Sequence, residues 1–344
     1  MGLFGSKPKS ILGIDIGTSS IKVVQLKKSE DKFKLETYGE ISNIDYAEKP
    51  GDSQEMIIRE MLKIVLKKSN IDTKHVVMAI PIFSSFTSVI EMPEMAPEEL
   101  EKSIEFEARK YIPIPLTEVV LDWKIIDSGT FKGKRVLLIA VPKDVANKYT
   151  RIADALNLKI NALELESFSF IRSLVFGEIK PVCILDIGAR ATSSTIIDNG
   201  IVQMSHGLDI AGAEMTRTLA SSLGVAFKRA EGFKLTHGID HGNPEQKDET
   251  REALITLVDE IINGTKQIIS NFQVKTGKKI EKVILNGGSG QMEGLKEYVE
   301  KKLEIKTFIA DPWSRVIYPE KLEKVLKEIG PEFSVAIGSA MREE

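Results

Sequence analysis

The chain carries one cysteine among 344 residues, which excludes a disulfide framework, a cysteine-rich zinc site and a cysteine-ligated iron–sulfur cluster. That residue, Cys183, lies in the apolar run PVCILDIG and reads as a small buried hydrophobe. No apolar stretch approaches the roughly 20 residues that a bilayer-spanning helix needs. The opening MGLFGSKPKS is too short in apolar residues for a secretory leader. Gly2 and Ser6 match the formal myristoylation spacing, a pattern short enough to arise by chance, and the segment reads as a frayed tail. An excess of one charge is also missing: 47 basic and 50 acidic residues, well mixed, give a net charge of −3 and no nucleic-acid footprint. There is no GxxxxGK[ST] loop, and where a glycine turn follows an early strand a second strand comes next, so Walker and dinucleotide fingerprints are both excluded. The expectation is a cytoplasmic, soluble protein without nucleic-acid partner or direct membrane insertion.

What is present is an ordinary globular composition, 42% hydrophobic and 28% charged, in a chain long enough for two large units. The first segment reads as three strands through Tyr38, a helix from about Gln54 to Ser69 with a broad apolar face, and the strand HVVMAI. The next block reads as a strand, a helix opened by Pro97 and stopped by Pro113 and Pro115, strands near 118–127 and 135–141, and a helix over 143–156. Residues 84–159 therefore form a candidate inserted α+β unit. A strand from Ile160 then leads into LELESFSFIRSL and on to PVCILDIGARATSSTIID.

One phrase occurs twice. ILGIDIGTSSIKVV and VCILDIGARATSSTII each run apolar strand, Asp-Ile-Gly, small polar residues, apolar strand. Turn preference explains Asp and Gly singly, but not the same ordered phrase at long range, which points to two related lobes with facing hairpins. Glycine-rich turns expose backbone N–H groups as an anion-binding concavity. Gly17 permits close approach of a phosphate, Thr18, Ser19 and Ser20 offer hydroxyls, and Lys22 offers an ammonium. Asp15 and Asp186, at two strand ends, suit a hydrated Mg²⁺, which keeps several waters and needs one or two carboxylates. A third stretch, VILNGGSGQMEGL, ends a strand at Asn286 and continues through Gly287, Gly288 and Ser289 towards Met292 and a helix. Such a corner gives a flat backbone platform for a base or ribose.

Together these residues resemble the actin/DnaK-type ATPase superfamily, with first phosphate hairpin, second phosphate hairpin and adenosine motif in that order. The resemblance implies an α/β, two-lobed fold, each lobe built on a ribonuclease-H-like sheet with helices, binding ATP and Mg²⁺. It also implies nucleotide roles for Gly188, Ala189 and Gly212, and ribose and adenine contacts for Glu231 and Lys234. From spacing alone, Glu231 and Lys234 read equally as solvated i, i+3 charges on a helix. In EFSVAIGSAMREE, the small residues Ala336, Gly338 and Ala340 resemble those of the second connecting helix, where they allow close packing between lobes. The placement of the extra subdomain is similar to that in FtsA and differs from MreB and actin. The opening LFGSKPKSILGIDIGTSSIKVVQL, the helix EKSIEFEARKYIPIP and LELESFSFIRSL resemble the PilM family of type IV pilus assembly. That resemblance divides the chain into subdomain 1A (10–83, 160–182, 328–344), inserted FtsA-type subdomain 1C (84–159), subdomain 2A (183–215, 276–327) and subdomain 2B (216–275). It implies a partner, the N-terminal cytoplasmic tail of a PilN-like inner-membrane protein docking by strand addition or pocket filling, and contacts with other pilus machine components.

Two departures bear on catalysis. After the second Asp-Ile-Gly the superfamily usually has Gly-Gly, where this chain has Ala189-Arg190; the guanidinium could clamp charge or occupy the space of attacking water. Glu166 matches a water-orienting glutamate of related filament proteins, and reads equally as a helix-start carboxylate stabilised by the dipole. ATP binding is thus expected, with any turnover slow. His237 and His241 have a metal-like spacing but stand in a glycine-rich stretch that reads as a loop. Rival expectations are an FtsA-like filament protein of cell division, disfavoured because no amphipathic helix follows AIGSAMREE, and a sugar or acetate kinase, disfavoured because the inserted block offers no evident base.

Overall fold

The computed structural model describes residues 10–30, 32–42, 54–126, 132–239 and 249–343. The Gly2–Ser6 pattern and His241 lie outside them. The described elements begin with strands β1 (Ser10–Ile16), β2 (Ser20–Ser29) and β3 (Lys32–Ser42), helix α1 (Gln54–Lys68) and strand β4 (His75–Ile80). They continue with β5 (Phe86–Met92), α2 (Pro97–Ala108), β6 (Val119–Ile126), β7 (Lys134–Pro142), α3 (Lys143–Ala155), β8 (Lys159–Leu165) and α4 (Glu166–Leu174). The second half holds β9 (Val182–Ile187), β10 (Thr192–Asp198), β11 (Ile201–Leu208), α5 (Gly212–Leu223), α6 (Phe227–His237) and α7 (Glu249–Thr276). It closes with β12 (Lys282–Asn286), α8 (Leu295–Leu303), β13 (Thr307–Ile309), β14 (Val316–Ile317) and α9 (Glu323–Ala340).

The duplicated phrase becomes a duplicated sheet. The first lobe orders its strands β14-β3-β2-β1-β4-β8 and the second β11-β10-β9-β12-β13. Leaving aside the added edge strand β14, both run 3-2-1-4-5 in local order. In each, the first two strands pair antiparallel (β1 with β2, β9 with β10), while the fourth joins the first in parallel (β4 on β1, β12 on β9). The chemistry of the central strands follows from position. β9 and β10 are covered on both faces and read as near-continuous apolar or small residues, whereas β3 begins with strict alternation, exposed Lys32 and Lys34 against buried Phe33 and Leu35. Parallel strands leave their carboxyl ends open beside the crossover, where ligands bind in open α/β sheets; Asp15 and Asp186 stand near those ends of β1 and β9.

Two helices join the lobes. α4 leads out of the first sheet, and α9 returns to it, packing on β1, β2 and β4. A Cβ on Gly13 of β1 would stand 1.9 Å from the Ala336 carbonyl oxygen, and one on Gly338 would stand 2.1 Å from that of Ser169. The small residues of α9 therefore bring it against β1 and α4, within the first lobe and its exit helix. Contact with the second lobe is made by larger side chains: Phe170 and Val335 share a core with Val182, Ile184 and Ile284. This corrects the assignment of lobe-to-lobe packing to Ala336, Gly338 and Ala340. A polar cluster seals the same junction. Buried Glu164 accepts hydrogen bonds from Ser169 Oγ (3.1 Å), Arg342 Nη1 (2.7 Å) and Arg172, while Arg172 Nε also donates to the Gly338 carbonyl at 2.6 Å.

The inserted unit is a three-stranded sheet, β5-β7-β6, capped by α2, with a core of its own that ends at β7. Helix α3 turns its apolar face (Tyr149, Ile152, Ala153) to the first-lobe core of Leu12, Ile14 and Val76. The divisions at 215/216 and 327/328 cut through α5 and α9, and α5, α6 and α7 share one continuous core with the second sheet. Periodicity detects an element, but the surface its apolar stripe covers depends on neighbours distant in sequence.

Candidate functional site

The two hairpins and the glycine corner line one cavity of about 800 Å³ between the lobes. Its first wall is the β1–β2 turn, Gly17 to Ser19, with Asp15 and Lys22 on the flanking strands; its second is the β9–β10 turn, Gly188 to Ala191, with Asp186. The two turns share one steric requirement. A Cβ on Gly17 would meet the Ser20 carbonyl oxygen at 2.9 Å, and a Cβ on Gly188 would meet that of Ala191 at 2.9 Å. Gly212 and Ala213 donate their backbone N–H groups to the carbonyls of Gly188 (2.9 Å) and Ala189 (2.7 Å), which ties the start of α5 to the second turn.

Both aspartates line the cleft and are part-buried. Burial pushes the carboxyl of Asp15 up to about 6; Lys22 pulls it down and Asp186 adds to the rise. Burial likewise raises Asp186 to about 6, against the hydrogen bond that Asn286 Nδ2 donates to its Oδ1 at 2.7 Å. Glu166, at the first turn of α4, is held well above the usual carboxylate range by burial and by the charges of Asp15 and Asp186, and it accepts the Ile82 N–H at 3.3 Å. Three carboxyls thus converge, two of them within mutual electrostatic reach at the open strand ends. Buried carboxylates crowded in this way fit a divalent cation, which removes the repulsion that raises them.

Cations complete the site. Lys22 is almost fully buried, its Nζ 2.6 Å from Ser20 Oγ, 3.4 Å from Glu40 and 3.5 Å from Glu332. Burial disfavours its ammonium, but the carboxylates of Glu40, Asp15 and Glu332 outweigh this and its pKa is raised. Lys234 is 1% exposed and donates to the Gly212 carbonyl (3.1 Å), Thr216 Oγ1 (3.1 Å), Ser289 Oγ (3.1 Å) and Glu231 (2.9 Å). Burial lowers its pKa and Glu231 partly compensates. The solvated alternative therefore does not hold for Lys234, which α6 turns inward against the glycine corner, while the Glu231 side chain stays 36% exposed. Charge-assisted bonds of about 1.5–3 kcal/mol each offset the desolvation of such a lysine.

The corner itself is a tight 3-10 turn, Gly288–Gln291, and α8 starts only at Leu295. Gly287 has φ +78°, and a Cβ there would lie 2.6 Å from the Ile187 carbonyl oxygen and 2.9 Å from Asp186 Oδ1. Every nucleotide-contact residue expected from the sequence lines the cavity except Met292. Met292 packs in the second-lobe core with Leu295 and Val299, because the 3-10 turn rotates it away from the cleft. Sequence reasoning missed Glu40, Glu332, Asn286 and Tyr149, which also line the cavity. It also missed Thr192 and Ser193, whose buried hydroxyl oxygens lie in the cavity wall without a hydrogen-bond partner. A signal for these two existed: Thr-Ser-Ser follows the first Asp-Ile-Gly directly and the second after Ala-Arg-Ala, an offset of three residues along the sequence.

With this geometry the comparisons are informative. A family model described as "Type IV pilus assembly protein PilM" matches residues 13–344. The chain belongs to the PilM family. Among curated proteins, the cell division protein FtsA of Escherichia coli K12 is 23% identical over 212 residues, covering 54% of this chain and 50% of that protein. FtsA of Enterococcus faecalis is 20% identical over 356 residues, covering 87% and 78%. The chain thus spans about half the length of the Escherichia coli FtsA that it matches. Among solved structures, a PilM–PilN type IV pilus biogenesis complex superposes with a TM-score of 0.82 at 23% identity, covering 96% of this chain and 98% of that one. MreB 5 of Spiroplasma citri bound to AMPPNP gives 0.56 at 12%, covering 96% and 95%. These likenesses establish the actin-like two-lobed fold. No helix among the described residues is long and apolar enough to cross a membrane.

Proposed function

We propose that the cleft binds ATP with one Mg²⁺ and that this PilM-family chain uses nucleotide occupancy to govern recruitment of the cytoplasmic tail of a PilN-like inner-membrane protein. The observation that carries the reading is the convergence, on a single interlobe cavity, of two aspartate-ended strands, two glycine turns and a glycine corner. Asp15 and Asp186 would hold the hydrated cation, with Gly17, Thr18, Ser19, Ser20 and Lys22 on one side of the phosphate chain and Gly188, Ala189 and the start of α5 at Gly212 on the other. Glu231 and Lys234 would meet the ribose and base, which rest on Gly287, Gly288 and Ser289. When bound, Mg²⁺ neutralises phosphate charge and polarises the terminal phosphoryl group. Glu166, at the cleft floor beside both aspartates, is the residue for orienting a water. Any turnover would be slow and serve as a switch between open and closed lobes.

Such a protein would work at the cytoplasmic face of the inner membrane through its partner and other pilus machine components. The test is calorimetric titration of the full chain with ATP, with Mg²⁺ or with EDTA, together with co-purification with the partner's N-terminal tail peptide in each state. Expected are one nucleotide per chain, weaker binding in EDTA and tail capture that depends on nucleotide. Absence of ATP binding would remove the nucleotide reading; pelleting with bare liposomes would favour an FtsA-like role, and rapid phosphorylation of sugars or small acids a kinase.

A further inference from the structure

We propose that Glu332, on the connecting helix α9, sets the affinity of the cleft for phosphate-bearing nucleotides by holding Lys22 in competition with the phosphate chain. The inference rests on the nucleotide reading above. Lys22 meets two carboxylates at once, Glu40 of β3 at 3.4 Å and Glu332 at 3.5 Å, and solvent reaches only 7% of it. One ammonium between two carboxylates leaves a net negative charge beside the turn where a polyphosphate must sit.

Glu332 lines the cleft between Lys22 and the glycine corner. On one side it faces Lys22 of the first lobe; on the other it lies under the glycine corner, where a Cβ on Gly288 would stand 3.3 Å from its Oε1. Glu231 and Lys234 are also within its electrostatic reach. Burial raises its carboxyl and Lys22 only partly opposes this. A nucleotide spanning from Ser289 to Lys22 therefore passes over Glu332, and each phosphate charge competes with that carboxylate for the same ammonium. Glu332 disfavours the more highly charged ligand most, which keeps affinity moderate and binding reversible.

The experiment is calorimetric titration of the full chain with Mg-ATP, Mg-ADP and adenosine, for wild type, Glu332→Gln, Lys22→Met and the double variant. Glu332→Gln should tighten ATP by about 3- to 10-fold, ADP by less and adenosine not at all. The gain should vanish in the Lys22→Met background, which a purely structural role for Glu332 would not produce. Unchanged or weaker ATP binding in Glu332→Gln would overturn the inference, as would an equal gain for adenosine or a gain that survives loss of Lys22. Should Glu332→Gln fail to fold, Glu40→Gln carries the same test with a smaller gain, because the Glu40 side chain is 37% exposed on an outer strand. A wild-type chain that binds neither nucleotide removes the nucleotide reading itself; one that binds while both variants match it removes only the role of Glu332.

Discussion

Asp15 and Asp186 each carry a carboxyl raised to about 6, chiefly by burial, from an ordinary value of 3.8. In the folded chain both bind protons more tightly than in the unfolded chain. Their contribution to stability is therefore complete below about pH 4 and is lost as pH rises through about 6. Without divalent cation, Asp15→Asn should melt above wild type at pH 7.5, where the native carboxylate is charged and buried, and the two should converge near pH 4. A scanning fluorimetry series in EDTA checks this; parallel curves at all pH values would refute it. The same ionisation governs cation binding with the opposite sign. Mg²⁺ needs both carboxylates deprotonated, so affinity for Mg-ATP should fall as pH drops from 7 to 5, while affinity for adenosine stays level in the same calorimetric series.

At the scale of elements, the junction of α4 and α9 is packed without slack. Gly338→Ala would drive a methyl to within 2.1 Å of the Ser169 carbonyl carbon–oxygen group, and the contact is backbone on backbone, so neither side can rotate away. Overpacking of this kind costs about 1–3 kcal/mol, to be read as a lowered urea midpoint. The ionic cluster beside it has a different vulnerability. Glu164 is 5% exposed and answers both Arg172 and Arg342, so Glu164→Ala leaves the half-buried Arg172 without its anion. Breaking a buried pair costs about 3–5 kcal/mol, and the lower end applies because the Arg342 side chain is 42% exposed. Urea denaturation should show the larger loss for Glu164→Ala and a smaller one for Arg342→Ala. Equal losses would mean that Arg172 is not left uncompensated.

The whole molecule links cleft and periphery through few connections. Asp186 is joined to α9 by Asn286, which bonds Asp186 on one side and accepts from Ser334 Oγ at 2.6 Å on the other, and the Gly287 N–H donates to the Pro331 carbonyl at 3.1 Å. The inserted sheet reaches across to the second lobe, with Arg135 Nη2 donating to Gln203 Oε1 at 2.7 Å and β5 packing on β11. Closure of the cleft around a nucleotide would bear on that contact. Hydrogen exchange should slow in β5 and β11 when Mg-AMPPNP is added, and unchanged exchange there with protection confined to the two turns would disconnect the inserted sheet from the cleft. If the partner's tail binds with an affinity that depends on nucleotide, linkage requires the tail to shift nucleotide affinity by the same factor, which titrations in both orders can measure.

Local sequence determined a good deal of this protein. The paired Asp-Ile-Gly phrases announced two homologous sheets, and the positions of Asp15, Gly17, Lys22, Asp186, Gly188 and Gly287 in one cleft followed from strand ends and turn chemistry, which are short-range properties. The inserted unit was visible as an α+β stretch between punctuation marks. Only tertiary packing decided that α3 belongs to the first-lobe core, that Met292 turns into the second, and that Lys234 is buried. Each depends on which surface a helix or turn meets, and those surfaces come from segments far away in the chain. Glu40 and Glu332 show this most clearly. Each is one acidic residue among 50, with no motif around it, and becomes part of the site because β3 and α9 are brought to opposite sides of Lys22. A turn carries its chemistry in its own residues, whereas a carboxylate gains a role only from the charge the fold sets opposite it.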